Sequence, residues 1–184
     1  MRVIAGTARG RPLKGPRGSD LRPTSDLVRG AIFDMLAAMG ADLSRVLDLY
    51  AGTGALGIEA LSRGGGWCDF VEKDERACRL IRQNLETTGL AENGAVHCWP
   101  VDRVLTRLRG QYSLILADPP YGDEKAETVL QQISDSPLAE PDAVIVMEHS
   151  RRRPTPPALG RRTLFTSRRH GDTVISFYRA GGSP

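Results

Sequence analysis

The sequence predicts an α/β fold built on a mostly parallel sheet with helices on both faces, and three observations predict it. From about residue 44 to 150, strand-like runs alternate with stretches of helical length, the pattern of βαβ units. A glycine-rich turn follows the first strong strand run and opens a helix. The last two strand runs are linked too tightly for a crossover, so they pair antiparallel.

The elements follow in order. Up to about residue 43, short apolar pieces among Gly, Arg and Pro give way after Pro23 to a helix. Thr24, Ser25 or Asp26 caps it, and its apolar face is Val28, Ala31, Ile32, Met35 and Leu36. Strands are predicted at Val46–Tyr50, Trp67–Glu72, Ala95–Trp99, Tyr112–Ala117 and Ala143–Glu148, with helices over about 55–63, 74–88, 101–109 and 124–134. Arg151–Gly160, punctuated by Pro154, Pro156, Pro157 and Gly160, reads as a loop. Two final strands, Thr163–Ser167 and Thr173–Tyr178, flank the turn signal His170-Gly171-Asp172. The chain therefore divides into a basic N-terminal extension with a helix beside the cleft, residues 1–43, and an α/β domain, residues 44–184.

At 184 residues and 20.0 kDa the chain is the size of one ordinary domain. It is long enough to bury roughly 70% of its unfolded surface without staples. Hydrophobic content of 40% and charged content of 26% exclude wholesale disorder. Apolar runs such as Ala143 to Met147 are too short to span a bilayer, and the amino terminus lacks the apolar stretch of a signal peptide, so a cytoplasmic protein with no membrane partner is expected. Cys68, Cys78 and Cys98 are odd in number and not in metal-ligand spacing; the reading is buried small hydrophobes, no disulfide framework and no metal. His97, His149 and His170 are scattered and form no catalytic constellation.

Net charge is only +3, but residues 1–29 carry seven basic and two acidic side chains, and residues 151–170 carry seven arginines and no acid. An acidic body bracketed by basic ends suits a nucleic-acid partner, since phosphate contacts need clustered cations. The leading phosphate contacts are Arg9, Arg11 and Arg22 at the front, with Arg151, Arg152 and Arg153 following the fifth strand.

The chemistry concentrates in two segments. Asp48-Leu-Tyr-Ala-Gly52-Thr-Gly54-Ala-Leu-Gly57 places G-x-G-x-x-G at a strand-to-helix turn, where glycine lets the backbone turn sharply and approach a ligand. Glu72, at the end of the next strand, is placed to accept both hydroxyls of a ribose. Asp48 suits the methionine ammonium of S-adenosylmethionine, which favours that sulfonium cofactor over a dinucleotide whose pyrophosphate would seek the helix N-terminus. Tyr50 and Thr53 belong to the same cofactor loop.

The second segment is Asp118-Pro119-Pro120-Tyr121, directly after the fourth strand. Its two prolines stiffen the turn and leave carbonyl acceptors without N–H donors. An exocyclic amine on a base is a poor nucleophile because its lone pair is delocalised into the ring. Asp118 carboxylate and Pro119 carbonyl would orient it by accepting from its N–H groups, while Tyr121 stacks on the base.

Together, DLYAGTGALG and DPPY resemble the S-adenosylmethionine-dependent amino-methyltransferases. The whole chain, from RVIAGTARGRPLKGP and LRPTSDLVRGAIFDML to HGDTVISFYR, resembles the bacterial small-subunit ribosomal RNA guanine-N2 methyltransferase family, RsmD. The resemblance implies a seven-stranded class I methyltransferase (Rossmann-like) sheet, with an antiparallel strand at the C-terminus, as the body of the 44–184 domain. It implies methyl transfer to guanine N2 in 16S rRNA, within an assembling small ribosomal subunit, by a monomer, with S-adenosylhomocysteine as product. Asp48, Gly52 and Gly54 would line the methionine end, Glu72 the ribose, and Asp118 to Tyr121 the guanine, while Arg22, Pro23 and Thr24 match the family's Arg-Pro-Thr segment. The chain departs from the family at Leu27, Gly30 and Trp99-Pro100-Val101-Asp102. Because Pro100 has no N–H, adenine recognition moves to Val101 or Asp102. Alternatives are methylation of DNA adenine or protein glutamine, an NAD-dependent oxidoreductase, and a non-catalytic RNA-binding module.

Overall fold

The computed structural model describes residues 1–15 and 25–181. Helices α1 (Asp26–Ala38), α2 (Ala55–Ser62), α3 (Glu75–Thr88), α4 (Val104–Arg107) and α5 (Ala126–Asp135) surround strands β1 (Arg45–Leu49), β2 (Trp67–Glu72), β3 (Gly94–Cys98), β4 (Tyr112–Ala117), β5 (Ala139–Ser150), β6 (Ala158–Leu159), β7 (Arg162–His170) and β8 (Thr173–Ala180). They form one sheet of order β3-β2-β1-β4-β5-β8-β7-β6. β3 through β5 are parallel, and β8 runs antiparallel to both β5 and β7.

The strands read as nearly unbroken apolar runs because both faces are covered. Val46, Phe70, Leu114, Val146 and Phe177 face one core with Ile32 of α1, Ile58 of α2 and Ile81 of α3. Leu47, Val71, Ile115, Ile145 and Tyr178 face the other with Val104 of α4 and Leu130 and Ile133 of α5. Burial raises the Tyr178 phenol to about 12, and its hydroxyl donates to the Pro156 carbonyl at 3.0 Å.

The sheet has an eighth strand beyond the implied seven. β6 lies inside the segment read as a loop, pairing Ala158 with Thr163 and Leu159 with Arg162. Two residues are too few for any periodicity to announce. The helix expected over 101–109 is a 3₁₀ turn at Val101–Arg103 followed by the single turn of α4. Ser25 caps α1, its Oγ accepting from the Val28 N–H at 3.2 Å. Leu27, where the family resemblance leads one to expect arginine, stands 75% exposed on α1.

Residues 1–13 fold back on themselves as a hairpin, with Val3 N–H donating to Arg11 O and Leu13 N–H to Met1 O, both at 3.0 Å. Val3, Ala8 and Leu13 enter the same core as α1, α2 and β1. Glu59 of α2, fully buried, accepts from the backbone N–H groups of Ile4 and Ala5 at 2.9 and 3.0 Å. Arg29 and Arg63 face the same carboxylate at 3.7 and 2.8 Å.

Two findings correct the sequence reading. Cys68 is a buried thiol as expected, but Cys78 and Cys98 form a disulfide across a Cα separation of 6.0 Å, because the first turn of α3 folds over the end of β3. Two arginines counted in the basic ends are interior. Arg29 is completely buried, and Arg162 is 3% exposed, donating to the carbonyls of Ala143, Ser134 and Glu140; burial lowers its pKa. Neither can meet phosphate. No helix among the described residues is long and apolar enough to cross a membrane.

Candidate active site

The glycine motif divides into two tasks. Tyr50, Gly52 and Gly54 all have positive φ, at 56°, 55° and 78°, and Tyr50 is the one non-glycine among the described residues to do so. A bulky residue held there carries strain of order 1–3 kcal/mol and marks a backbone shaped for a purpose. Gly57 is needed for contact, because a Cβ there would collide with Phe70, Cys68 and Asp48. Without one, α2 settles onto β1 and β2, and the Gly57 N–H donates to Asp48 Oδ2 at 2.9 Å.

Asp48 is 1% exposed. Burial pushes its carboxyl well above the usual range; the Gly57 N–H works against this, and the charges of Asp118 and Glu72 add to the rise. Glu72 Oε2 accepts from Gly52 N–H and Oε1 from Asp74 N–H, each at 2.9 Å. Each carboxylate oxygen retains a second acceptor site for a ribose hydroxyl.

Asp48 thus lies in the field of the Asp118 and Glu72 carboxylates, an acidic surrounding that complements a cation. A pyrophosphate would add further like charge, whereas the ammonium and sulfonium of S-adenosylmethionine relieve it. The residues present fit that cofactor. Asp48, Gly52, Thr53 and Gly54 would hold its methionine end and Glu72 its ribose.

Of the two residues expected to meet adenine, Val101 is buried and Asp102 exposed at the start of the 3₁₀ turn. Tyr50 lies within reach of Asp102 and Asp123: burial first, then the Asp123 charge and hydrogen bond, then Asp102, raise its phenol pKa. The Trp99 ring lies tilted at 48° against His97 and beneath the Arg107 guanidinium.

The Asp118–Tyr121 turn leaves β4 at the same edge of the sheet. Pro120 O accepts from Asp123 N–H at 2.9 Å, so of the two proline carbonyls read as free acceptors Pro120's is engaged within the turn. Tyr121 is 50% exposed, with its hydroxyl 3.1 Å from Thr173 Oγ1. Beside it lies a cavity of about 120 Å³ lined by Pro119, Pro120, Tyr121, Glu127, Met147, His149 and Arg153. His149 Nδ1 faces the Ser150 carbonyl at 3.2 Å and Nε2 faces Ser176 Oγ at 2.9 Å. A carbonyl only accepts, so Nδ1 carries the hydrogen and Nε2 accepts from the serine. Burial lowers the His149 pKa, which keeps the ring neutral.

The basic residues separate. Arg151, Arg152 and Arg153 follow β5 at the Asp118 edge; Arg151 Nε pairs with Asp172 at 2.8 Å, and Arg153 Nη1 donates to Asp123 O at 3.1 Å. Arg9 and Arg11 are exposed on the N-terminal hairpin at the opposite edge, beside the ends of α2 and α3. Thr7 N–H there donates to Ser62 O at 2.7 Å, and Arg11 Nη1 to Thr87 O at 3.0 Å. Arg22, Pro23 and Thr24 lie outside the described residues.

Sequence reasoning missed Glu59, Asn84 and the cavity residue Glu127, and set His149 aside with the other histidines. A signal existed for the first two, since each is a polar residue on the apolar face of its helix.

Fold and site together define a class I S-adenosylmethionine-dependent methyltransferase. The chain belongs to the family described as "Conserved hypothetical protein 95", which matches residues 1–179. It is 38% identical to the "Putative rRNA methyltransferase YlbH" of Bacillus subtilis over 99% of this chain and 100% of that one. Against the "Ribosomal RNA small subunit methyltransferase D" of Escherichia coli it is 33% identical over 80% of this chain and 74% of that one. The solved structure titled "Putative methyltransferase yhhF from Escherichia coli" superposes with a TM-score of 0.86 at 30% identity, covering 100% of this chain and 99% of the other.

Proposed function

We propose that this protein methylates the exocyclic N2 amine of a guanine in 16S rRNA. The observation that carries the reading is the Asp118-Pro119 turn at the carboxyl end of β4, adjoining the carboxylate-rich cofactor loop. The relatives named as ribosomal RNA methyltransferases support RNA as the acceptor.

S-adenosylmethionine, when bound, supplies an electrophilic methyl on a positively charged sulfur. Asp118 and the Pro119 carbonyl accept from the two N2 hydrogens and turn the nitrogen toward that methyl. Tyr121 stacks on the base and excludes water. With the amine so held, transfer of that methyl would make the N–C bond at the expense of the S–C bond and leave S-adenosylhomocysteine. Positioning supplies most of the acceleration. Asp118 acts chiefly as an acceptor, since an ordinary Asp pKa of about 3.9 makes a weak base. The methylated amine, cationic and acidic, sheds its proton afterwards. Arg151, Arg152 and Arg153 grip phosphates beside the target, whereas Arg9 and Arg11 would meet RNA only at the far edge.

Mass mapping of 16S rRNA nucleosides from cells with and without the protein tests this. Loss of one N2-methylguanine is the expected result. An intact N2-methylguanine complement, or loss of a different methylated base, overturns it.

A further inference from the structure

Asn84 sits completely buried in the third turn of α3, where it joins the Lys14 backbone to the Thr53 carbonyl. Its Oδ1 accepts from the Lys14 N–H at 2.8 Å, and its Nδ2 donates to the Lys14 carbonyl at 3.0 Å. The same Nδ2 donates its other hydrogen to the Thr53 carbonyl at 2.9 Å. Exchanging the amide oxygen and nitrogen would set an oxygen against two carbonyls, so all three bonds stand or fall with one orientation.

Both ends of this junction matter. Lys14 directly follows the N-terminal hairpin, and the exposed cations of residues 1–15 are Arg2, Arg9, Arg11 and Lys14, with no acid among them. Thr53 lies between Gly52 and Gly54, both left-handed, and the Gly52 N–H holds the ribose carboxylate of Glu72 at 2.9 Å. A continuous path therefore runs from the cationic hairpin through one carboxamide to the cofactor loop.

We propose that Asn84 is a positioning residue that couples RNA capture by the hairpin to the cofactor loop. This rests on the reading of the protein as an RNA methyltransferase. RNA phosphate on the hairpin holds the Lys14 backbone in place. That fixes the Asn84 amide in the orientation that also receives Thr53, so the loop is ordered before the cofactor arrives. Coupling of this kind is reciprocal, and RNA and cofactor each tighten the other's binding by the same factor.

The experiment is equilibrium dialysis of labelled S-adenosylhomocysteine, with and without unmodified 16S rRNA transcript, for the parent and two variants. The parent should bind the label at least about fivefold tighter with RNA, the lower end of ordinary coupling. Lys14→Pro removes the N–H from which Asn84 Oδ1 accepts, without altering a residue of α3 itself. It should lose the enhancement, read as the ratio of its own affinities with saturating RNA and without. Asn84→Ala should weaken binding without RNA and also lose the enhancement. Should Asn84→Ala fail to fold, Lys14→Pro decides. An enhancement of parental size in a folded variant, or none in the parent, overturns the coupling. Methyl transfer to 16S rRNA by the parent, assayed alongside, separates the two readings: a parent that methylates but couples no better than the variants loses only the coupling, and one that does not methylate loses both.

Discussion

The Glu72 carboxylate accepts from the backbone N–H of Gly52 at 2.9 Å, so the residue assigned to the ribose is itself aimed by the glycine loop. Loop and carboxylate form one unit across two adjacent parallel strands, β1 and β2.

Removing that carboxylate should weaken cofactor binding. For Glu72→Ala, loss of charged hydrogen bonds predicts a cost of ~1.5–3 kcal/mol. Calorimetry with S-adenosylhomocysteine measures it, and parental affinity in the variant refutes the ribose assignment.

Asp118→Ala should do the reverse. Methyl transfer should fall to a small residue of the parental rate while cofactor affinity stays close to the parent's, because this carboxylate is the proposed acceptor for the substrate amine. Collapse of cofactor binding in the variant would show that Asp118 serves the cofactor instead.

Asp69 makes folding sensitive to acid. Its carboxylate accepts from Trp67 Nε1 at 2.9 Å, His97 Nε2 at 2.7 Å and Tyr112 hydroxyl at 2.8 Å. Burial alone would raise its pKa, but the bonds from His97, Tyr112 and Trp67 outweigh burial and hold it below the usual value. The unfolded chain therefore binds this proton more readily than the folded one. The stabilisation is complete above the ordinary Asp value of about 3.9 and disappears as pH falls through the lower folded value. In urea unfolding, the stability gap between parent and Asp69→Asn should be widest near neutral pH and shrink towards pH ~3; a gap independent of pH rules this out.

The Cys78–Cys98 disulfide, separated by 20 residues, should stabilise the fold by about 3 kcal/mol through the unfolded chain. Denaturant unfolding with and without a reducing agent reads the difference. The double variant Cys78→Ala/Cys98→Ala should be indifferent to the reductant.

For the arginines after β5, affinity for 16S rRNA should fall steeply with salt in the parent. Arg152→Ala with Arg153→Ala should flatten the log–log slope by about one to two, given ~0.7–0.9 per phosphate. An unchanged slope would make these side chains ordinary solvated surface.

The amino-acid order by itself determined the layers and the site's two motifs. Apolar strand runs alternating with helical stretches announced β1, β2 and β4, while Gly52, Gly54 and Gly57 announced a tight strand-to-helix turn. Asp118-Pro119 marked the end of β4. Each of these is written in neighbouring residues, as a period, a turn or a missing N–H. Tertiary structure alone decided the rest. It put Lys14 on Asn84, Ile4 on Glu59, and Cys78 against Cys98. It also carried Arg11 to the end of α3, away from the cleft, and buried Arg29 and Arg162. These partners lie tens of residues apart in sequence, and no local spacing encodes them. They arise because a helix in a βαβ unit runs against its strands, so that its two ends reach opposite edges of the sheet.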